Sequence, residues 1–227
     1  MDIIQSFDLF LFDLDGLLIK SEELHWLAYI EMCARRGYTL QIDFLDYYRI
    51  AQTASDAPQK FIYGQFPALQ QEEPNWSVLY EEKKKAYNEI LHNNPPPLLD
   101  GVALFLQKLA GAKKKMAVVT HTARPFVDFI RSKNPELNLI PNWFCREDYK
   151  NGKPAPDGWL KAIGTLAKSG DRIIGFEDSL RGLHSLLAAK VTPVIVNSVD
   201  DQVVQKGHSL GCHTAASFHD LLIDNRN

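Results

Sequence analysis

The stretch DLFLFDLDGLLIKSE, residues 8–22, determines the fold class predicted for this chain. Its first half is an almost unbroken apolar run, which predicts a short buried strand over residues 7–13. Two carboxylates, Asp13 and Asp15, end the run with one residue between them, and Gly16 follows at once. Charged groups at the end of a buried strand need a compensating partner, so we expect a ligand or an ion to face them. The alternative is a plain strand-end turn, because aspartate is also common in turns.

The chain after residue 101 alternates helical and extended patterns. Short apolar segments predict strands, and the segments between them predict helices. The strands are predicted at 116–120, 143–145, 172–176 and 193–196, and the helices at 102–110, 124–133, 157–168, 179–189 and 216–223. Such alternation predicts an α/β fold with a doubly wound parallel sheet that helices cover on both faces.

A helical region separates the first strand from the others. Apolar residues recur at helical spacing between Ser21 and Gly37, and residues 40–92 remain mostly helical in character. The run HNNPPPLLDG then ends this region, because three consecutive prolines cannot continue a helix. The charged run EEKKKA at 81–86 is expected to be a solvated face. We therefore predict an α/β core domain of residues 1–17 and 94–227, interrupted by an all-helical domain at 18–93.

Composition argues against several classes of partner. The 227 residues carry a net charge of −3, so nothing indicates a surface for nucleic acid or an anionic membrane. The three cysteines are scattered without a CxxC pair, which argues against disulfides and structural zinc. Neither a signal peptide nor an apolar run of membrane-spanning length is recognisable. We expect a cytoplasmic monomer that binds neither nucleic acid nor membranes.

Polar residues recur where the predicted strands end. The carboxyl ends of parallel strands form the ligand-binding edge of a doubly wound sheet, so these side chains should meet there. Four carboxylates at one edge repel one another unless a cation neutralises them, and a hard, oxygen-bound ion such as Mg²⁺ fits. The alternative for the segment at 177–179 is a helix N-cap. The residues of this edge are Asp13, Asp15, Thr120, Glu177 and Asp178.

The loop GKPAPDGW at 152–159 adds a positive charge, Lys153. Lys153, the Thr120 hydroxyl and backbone N–H groups of the loop from His121 can together hold a phosphoryl group, which indicates phosphoryl transfer. In that reaction Asp13 can attack phosphorus and become an aspartyl phosphate. Asp15 can protonate the leaving oxygen and later take a proton from water. The plainer alternatives are a solvated loop lysine and an ordinary strand threonine.

Four segments together resemble the motifs of the haloacid dehalogenase superfamily. In chain order they are DLDG at 13–16, Thr120 after a strand, KPAPDGW at 153–159 and GFEDS at 175–179. The helical insert after the first motif narrows the resemblance to the β-phosphoglucomutase-like phosphatases, whose helical cap is inserted at this place. The resemblance covers nearly the whole chain and is weakest in residues 40–92.

The resemblance implies a role for each candidate residue. Asp13 would be the nucleophile and Asp15 the general acid and base, while Thr120 and Lys153 would contact the transferring phosphoryl group. The Mg²⁺ cofactor would be held by four groups. These are the carboxylate of Asp13, the backbone carbonyl of Asp15, and the carboxylates of Asp178 and Glu177.

Other positions match or depart from this branch. His25 matches a histidine that follows the first motif, so it is a candidate for substrate binding together with His121. Lys20 stands where relatives often carry aspartate or asparagine. In the cap, Ala51 replaces the usual glycine, and Ala54 stands where the mutase has an arginine.

Three functions remain open at this stage. The first is Mg²⁺-dependent hydrolysis of a small phosphomonoester, a sugar phosphate or a nucleotide, with the cap closing over the site and choosing the substrate. The second is a sugar-phosphate mutase of the β-phosphoglucomutase type, which Ala54 disfavours. The third is a non-catalytic relative that binds a phosphorylated ligand. The complete set of carboxylates, threonine and lysine argues against that third function.

Overall fold

The computed structural model describes residues 2–54 and 56–223. The chain divides into two compact units: residues up to Lys20 and from Pro97 onward form an α/β unit, and Ser21–Pro96 form a helical unit. The predicted domain boundaries, after residues 17 and 93, lie three residues before these divisions. The parts of the predicted core domain at residue 1 and beyond residue 223 lie outside the described residues.

The helical unit follows the first strand. The chain begins with α1 (Ile3–Ser6) and β1 (Leu9–Phe12) and then forms α2 (Glu22–Arg35), α3 (Phe44–Thr53), α4 (Ala57–Gln65), α5 (Pro67–Glu72) and α6 (Trp76–Asn93). Ion pairs join the C-terminal end of α2 and the residue after it to α6, with Arg35 2.6 Å from Glu89 and Arg36 2.5 Å from Glu82. Among the described residues no helix combines the length and the apolar character needed to cross a membrane.

The α/β unit then resumes around one sheet. Its elements are α7 (Val102–Gly111), β2 (Lys115–Val119), α8 (Arg124–Lys133), β3 (Asn142–Phe144), α9 (Asp157–Leu166), β4 (Ile173–Glu177), α10 (Leu180–Ala188), β5 (Thr192–Val196), α11 (Asp201–Ser209), β6 (His213–Ala215) and α12 (Phe218–Ile223). The strands are all parallel, in the order β3-β2-β1-β4-β5-β6. The predicted doubly wound α/β fold is confirmed.

Strand β1 is buried on both of its faces, which explains its continuous apolar sequence. Successive side chains alternate between the faces of a strand. Phe12 therefore points to one face, where its ring stacks on that of Phe176 with centroids 5.0 Å apart. Leu9 and Leu11 point to the other face and pack in a cluster that includes the fully buried Trp159. Burial of both faces fixes the strand in the middle of the sheet and so fixes where Asp13 emerges.

The sequence analysis did not predict α1, β6 and α11 of the α/β unit. Helix α1 spans four residues, and β6 is a three-residue strand at the edge of the sheet. Helix α11 has a polar sequence, DQVVQKGHS, in which little apolar periodicity is visible. Thr120 was predicted to be the last residue of the second strand. Because β2 ends at Val119, Thr120 is instead the first residue after it.

Candidate active site

Three buried carboxylates meet at the carboxyl edge of the sheet. Asp13 directly follows β1, and its N–H donates to the carbonyl of Phe176 in the neighbouring strand. Glu177 is the last residue of β4 and Asp178 follows it. One carboxylate oxygen from each of Asp13, Glu177 and Asp178 lies within 4.8 Å of the other two. The expected convergence of these three side chains at one sheet edge is therefore present.

The Glu177 carboxylate occupies a space that a glycine leaves open. A β-carbon at Gly182 would lie 1.9 Å from Glu177 Cδ, so any side chain there would expel the carboxylate. Ser179 caps α10 by accepting the N–H of Gly182 at 3.0 Å, and its hydroxyl donates to Glu177 Oε2 at 3.2 Å. The predicted N-cap and the acidic cluster thus coexist, because different side chains of this segment supply them.

Lys153 reaches the same cluster from the loop before α9. Its ammonium pairs with Asp13, lies 2.7 Å from Glu177 Oε1 and donates to the carbonyl of Val119 at 3.1 Å. It also lies 4.5 Å from the centroid of the Trp159 ring. Burial opposes the charge of Lys153, but Asp13 and Glu177 outweigh burial and hold its pKa above the ordinary value. Lys153 is therefore a buried cation within the cluster and not a solvated loop residue.

One lysine does not balance the negative charge of the cluster. Burial, assisted by the charges of Glu177 and Asp15 and opposed by Lys153, raises the pKa of Asp13 above its ordinary value. The donor set consists of carboxylate oxygens alone, which suits a hard dication such as Mg²⁺ and not a soft metal. A bound dication would favour the ionised form of Asp13 by direct attraction. The residues present therefore fit a Mg²⁺ site.

Asn197 braces the cluster from β5 and was not predicted. Its Nδ2 donates to the backbone carbonyl of Asp178 at 2.7 Å, and its Oδ1 accepts the N–H of Asp200 at 2.9 Å. Asp178 and Asp200, the two residues that the Asn197 side chain contacts here, are both buried. The only sequence signal was the position of Asn197 directly after a strand that ends at the same edge.

Asp15 is held by hydroxyl groups of the loop after β2. Its carboxylate accepts from Thr120 Oγ1 at 3.4 Å and from the hydroxyl of Thr122. The N–H of Thr122 in turn donates to Thr120 Oγ1 at 3.0 Å. Gly16 adopts a φ of +73°, which turns the chain away directly after Asp15 and is a conformation that glycine allows. The sequence analysis did not predict a role for Thr122. The only signal was the sequence THT at 120–122, which places a second threonine two residues after Thr120.

His121 makes a contact that its predicted role did not include. Its ring Nε2 accepts the backbone N–H of Lys153 at 2.6 Å. Burial, assisted by the positive charges of Lys153, Arg181 and Arg146, lowers the pKa of His121 to about 3. The imidazole is therefore neutral at physiological pH, and the hydrogen bond assigns the remaining ring proton to Nδ1.

His25 lies on α2 in the helical unit. Its ring stacks on that of Tyr87 with centroids 4.3 Å apart, and its Nδ1 lies 2.7 Å from Lys83 Nζ. Lys83 is buried and its ammonium lies 5.0 Å from the ring centroid of Tyr29. The prediction that residues 81–86 form a solvated face is therefore wrong for Lys83, because aromatic rings and an imidazole enclose its charge.

The comparisons with known proteins agree with the fold and the motifs. The family model of the haloacid dehalogenase-like hydrolases matches residues 10–196. Protein CbbY of Rhodobacter capsulatus is 27% identical over 83% of this chain and 84% of its own. The phosphorylated carbohydrates phosphatase of Thermotoga maritima is 26% identical over 84% of this chain and 86% of its own.

A solved structure extends the similarity to the fold of nearly the whole chain. The structure of a HAD hydrolase, family IA, variant 3, from Entamoeba histolytica has a TM-score of 0.77 and 26% identity, and the match covers 94% of each chain. With its six-stranded parallel sheet and the family match over residues 10–196, the chain belongs to the haloacid dehalogenase-like hydrolases. The predicted superfamily, its phosphoglucomutase-like branch and the phosphohydrolase class are confirmed.

Proposed function

We propose that the protein is a Mg²⁺-dependent phosphatase that hydrolyses a small phosphomonoester of the sugar-phosphate type through an aspartyl phosphate. The observation that carries the proposal is the meeting of Asp13, Glu177 and Asp178 around the ammonium of Lys153. The name of the Thermotoga maritima relative, a phosphorylated carbohydrates phosphatase, supports the sugar-phosphate class. Ala54, in place of the mutase arginine, favours water over a second sugar hydroxyl as the acceptor.

Asp13 is the proposed nucleophile. One of its carboxylate oxygens bonds to phosphorus while the bond from phosphorus to the ester oxygen breaks, leaving an acyl phosphate on the protein and an alcohol as product. Asp13 with Glu177, Asp178 and the backbone carbonyl of Asp15 would hold Mg²⁺, which supplies positive charge that balances the phosphoryl oxygens. Lys153 and Thr120, with the backbone N–H of His121, hold those oxygens in line with the attacking carboxylate.

Asp15 is the proposed general acid and base. Its protonated carboxyl gives a proton to the leaving ester oxygen, and its carboxylate then takes a proton from the water that attacks phosphorus. The second step breaks the bond between Asp13 and phosphorus and releases inorganic phosphate. The hydroxyl of Thr122 supports this role because it holds the Asp15 carboxylate at the site edge and leaves the Thr120 hydroxyl for the phosphoryl group. The helical unit is proposed as the cap that selects the substrate, in a protein that acts as a cytoplasmic monomer.

The test is phosphate release from p-nitrophenyl phosphate and from a panel of sugar phosphates and nucleotides. We expect turnover with Mg²⁺, loss of turnover with a chelator, and loss with Asp13→Asn. Asp201→Asn, which changes an exposed carboxylate on α11, is the matched control and should retain activity. Full activity of Asp13→Asn would rule out the proposed chemistry, and conversion of a hexose 1-phosphate to its isomer without phosphate release would favour the mutase.

A further inference from the structure

His121 connects the loop after β2 to the backbone of Lys153, which lies 32 positions further along the chain. The ammonium of the same lysine donates to the carbonyl of Val119, two residues before His121. The end of β2 therefore holds Lys153 at both ends, with a backbone carbonyl on the side-chain ammonium and an imidazole on the main-chain N–H. A long, flexible side chain held in this way has little freedom left to leave the cluster.

Gly152 makes the approach of the imidazole possible. A β-carbon at this position would lie 2.7 Å from Nε2 and 2.8 Å from Cε1 of His121, closer than non-bonded atoms approach. The φ of Gly152 is not in the left-handed region, so glycine is needed here for space and not for backbone conformation. The sequence NGK at 151–153 thus places the smallest residue beside the lysine so that the ring can reach its N–H.

The acceptor at Nε2 requires a neutral ring. The ring is largely buried, and the charges of Lys153, Arg181 and Arg146 act on it, so protonation would place a further positive charge where both burial and these cations oppose it. The lone pair on Nε2 is therefore available throughout the physiological pH range. A histidine that served as proton donor or as a phosphate-binding cation would need the opposite surroundings.

We propose that His121 is a positioning residue whose imidazole Nε2, by accepting the N–H of Lys153, fixes the Lys153 loop so that the ammonium of Lys153 faces the transferring phosphoryl group. The proposal deepens the phosphatase function and rests on it for its catalytic consequence. The structural part of the proposal, that the ring orders the Lys153 backbone, stands on the hydrogen bond and on the space at Gly152.

The catalytic consequence is tested with a double-mutant cycle. His121→Leu keeps bulk but removes the acceptor, and we expect it to lower kcat on p-nitrophenyl phosphate roughly 10- to 100-fold, since misplacing a positioning group costs up to about 10²-fold. His121→Gln offers an amide oxygen at similar reach and should recover most of the loss. In a Lys153→Met background His121→Leu should change kcat less than about 2-fold, because the two residues act as one unit. If His121→Leu lowers kcat by the same factor in the wild-type and the Lys153→Met backgrounds, the proposal is overturned.

Amide hydrogen exchange tests the positioning independently of turnover. In wild-type protein labelled with ¹⁵N, we expect the Lys153 N–H to exchange slowly. In His121→Leu it should exchange about 3- to 10-fold faster, as the loss of one hydrogen bond predicts, and His121→Gln should restore protection. His184→Leu, on the exposed face of α10, is the control and should leave this amide unchanged.

The two experiments separate failure of the inference from failure of the proposed function. If wild-type protein releases no phosphate across the panel, the phosphatase is wrong, while exchange at Lys153 still decides the role of the imidazole. If the protein is an active phosphatase and the Lys153 amide exchanges equally fast in wild type and His121→Leu, the phosphatase stands and the positioning role of His121 is refuted.

Discussion

The carboxylate of Glu177 fills the volume that a side chain at Gly182 would occupy. All three atoms of that carboxylate lie within 2.1 Å of the place where a β-carbon would stand. The glycine one turn into α10 is therefore part of the acidic cluster, although it contributes no chemical group to it. Its role is to allow Glu177 to lie beside Asp13 and Asp178.

Gly182→Ala should weaken Mg²⁺ binding and lower kcat without unfolding the protein. Alanine favours helix by up to about 1 kcal/mol over glycine, but its methyl group displaces the Glu177 carboxylate. We expect the affinity for Mg²⁺ and the value of kcat each to fall about 10- to 100-fold, as for loss of a group that supports a metal ligand. Mg²⁺ titrations of phosphate release measure both quantities.

Gly164→Ala is the matched control for this substitution. Gly164 is also a helical glycine, and apart from its chain neighbours and the nearby backbone of its own helix no atom lies within 4 Å of its would-be β-carbon. This variant should keep wild-type activity and Mg²⁺ affinity. Wild-type affinity for Mg²⁺ in Gly182→Ala would show that the Glu177 carboxylate has no part in holding the metal.

Gly152→Ala should lower activity through His121. The added methyl group overlaps the imidazole, so the ring moves and releases the N–H of Lys153. We expect kcat to fall about 10-fold or more for a displacement of this kind. In a His121→Ala background the overlap is absent, and Gly152→Ala should then cost almost nothing further. The same fold-loss in both backgrounds would place the cause elsewhere in the loop.

Thr122→Val should impair the proposed acid and base. Valine has the shape of threonine but cannot donate to Asp15. We expect kcat to fall roughly 10-fold, a fraction of the 10²- to 10⁴-fold that a positioned acid or base contributes, while Thr122→Ser keeps most of the activity. Thr165→Val, on the exposed face of α9, is the control. Unchanged kcat in Thr122→Val would mean that the Thr122 hydroxyl is not needed to orient Asp15.

The stability of the protein should fall at acid pH in part through His121. Its pKa is 6.5 when unfolded and about 3 when folded, chiefly because of burial. Between these values the unfolded state binds the proton and the folded state does not, so stability decreases as pH falls through 6.5 toward 3. From pH 7 to pH 5.5 this group should cost about 1 kcal/mol.

Urea unfolding at these two pH values measures the effect. His121→Gln cannot titrate, so its free energy of unfolding should fall by about 1 kcal/mol less than that of the wild type over the same interval. The comparison cancels the contributions of the other acidic and basic groups that both proteins share. If the free energy of unfolding falls by the same amount in the two proteins, His121 is already protonated in the folded state or exposed to solvent.

The sheet and its ligand edge could be predicted because their signals are local. A continuous apolar run such as β1 indicates burial on both faces, and the polar residue that follows a parallel strand must emerge at the carboxyl edge. Asp13 and Glu177 were found in this way. The edge strand β6 and the polar helix α11 lack such a signal, since neither buries a continuous apolar face.

The supporting contacts of the site could not be predicted because they join residues that are distant in the sequence and meet only in the folded chain. Nothing in the sequence pairs Asn197 with the carbonyl of Asp178, or the ring of His121 with the N–H of Lys153. The burial of Lys83 was missed for the same reason, because a run of charged residues reads as a solvated face until the surrounding rings are located.

The identity of the nucleophile is the central claim, and trapping the intermediate tests it most directly. The protein is quenched in acid during turnover of a phosphomonoester and reduced with borohydride, which converts an aspartyl phosphate to homoserine, and its peptides are then mapped by mass spectrometry. Homoserine at position 13, absent without substrate and absent in Asp13→Asn, is the predicted result. Homoserine at position 15, or an unmodified Asp13 in a protein that is turning over, would contradict it.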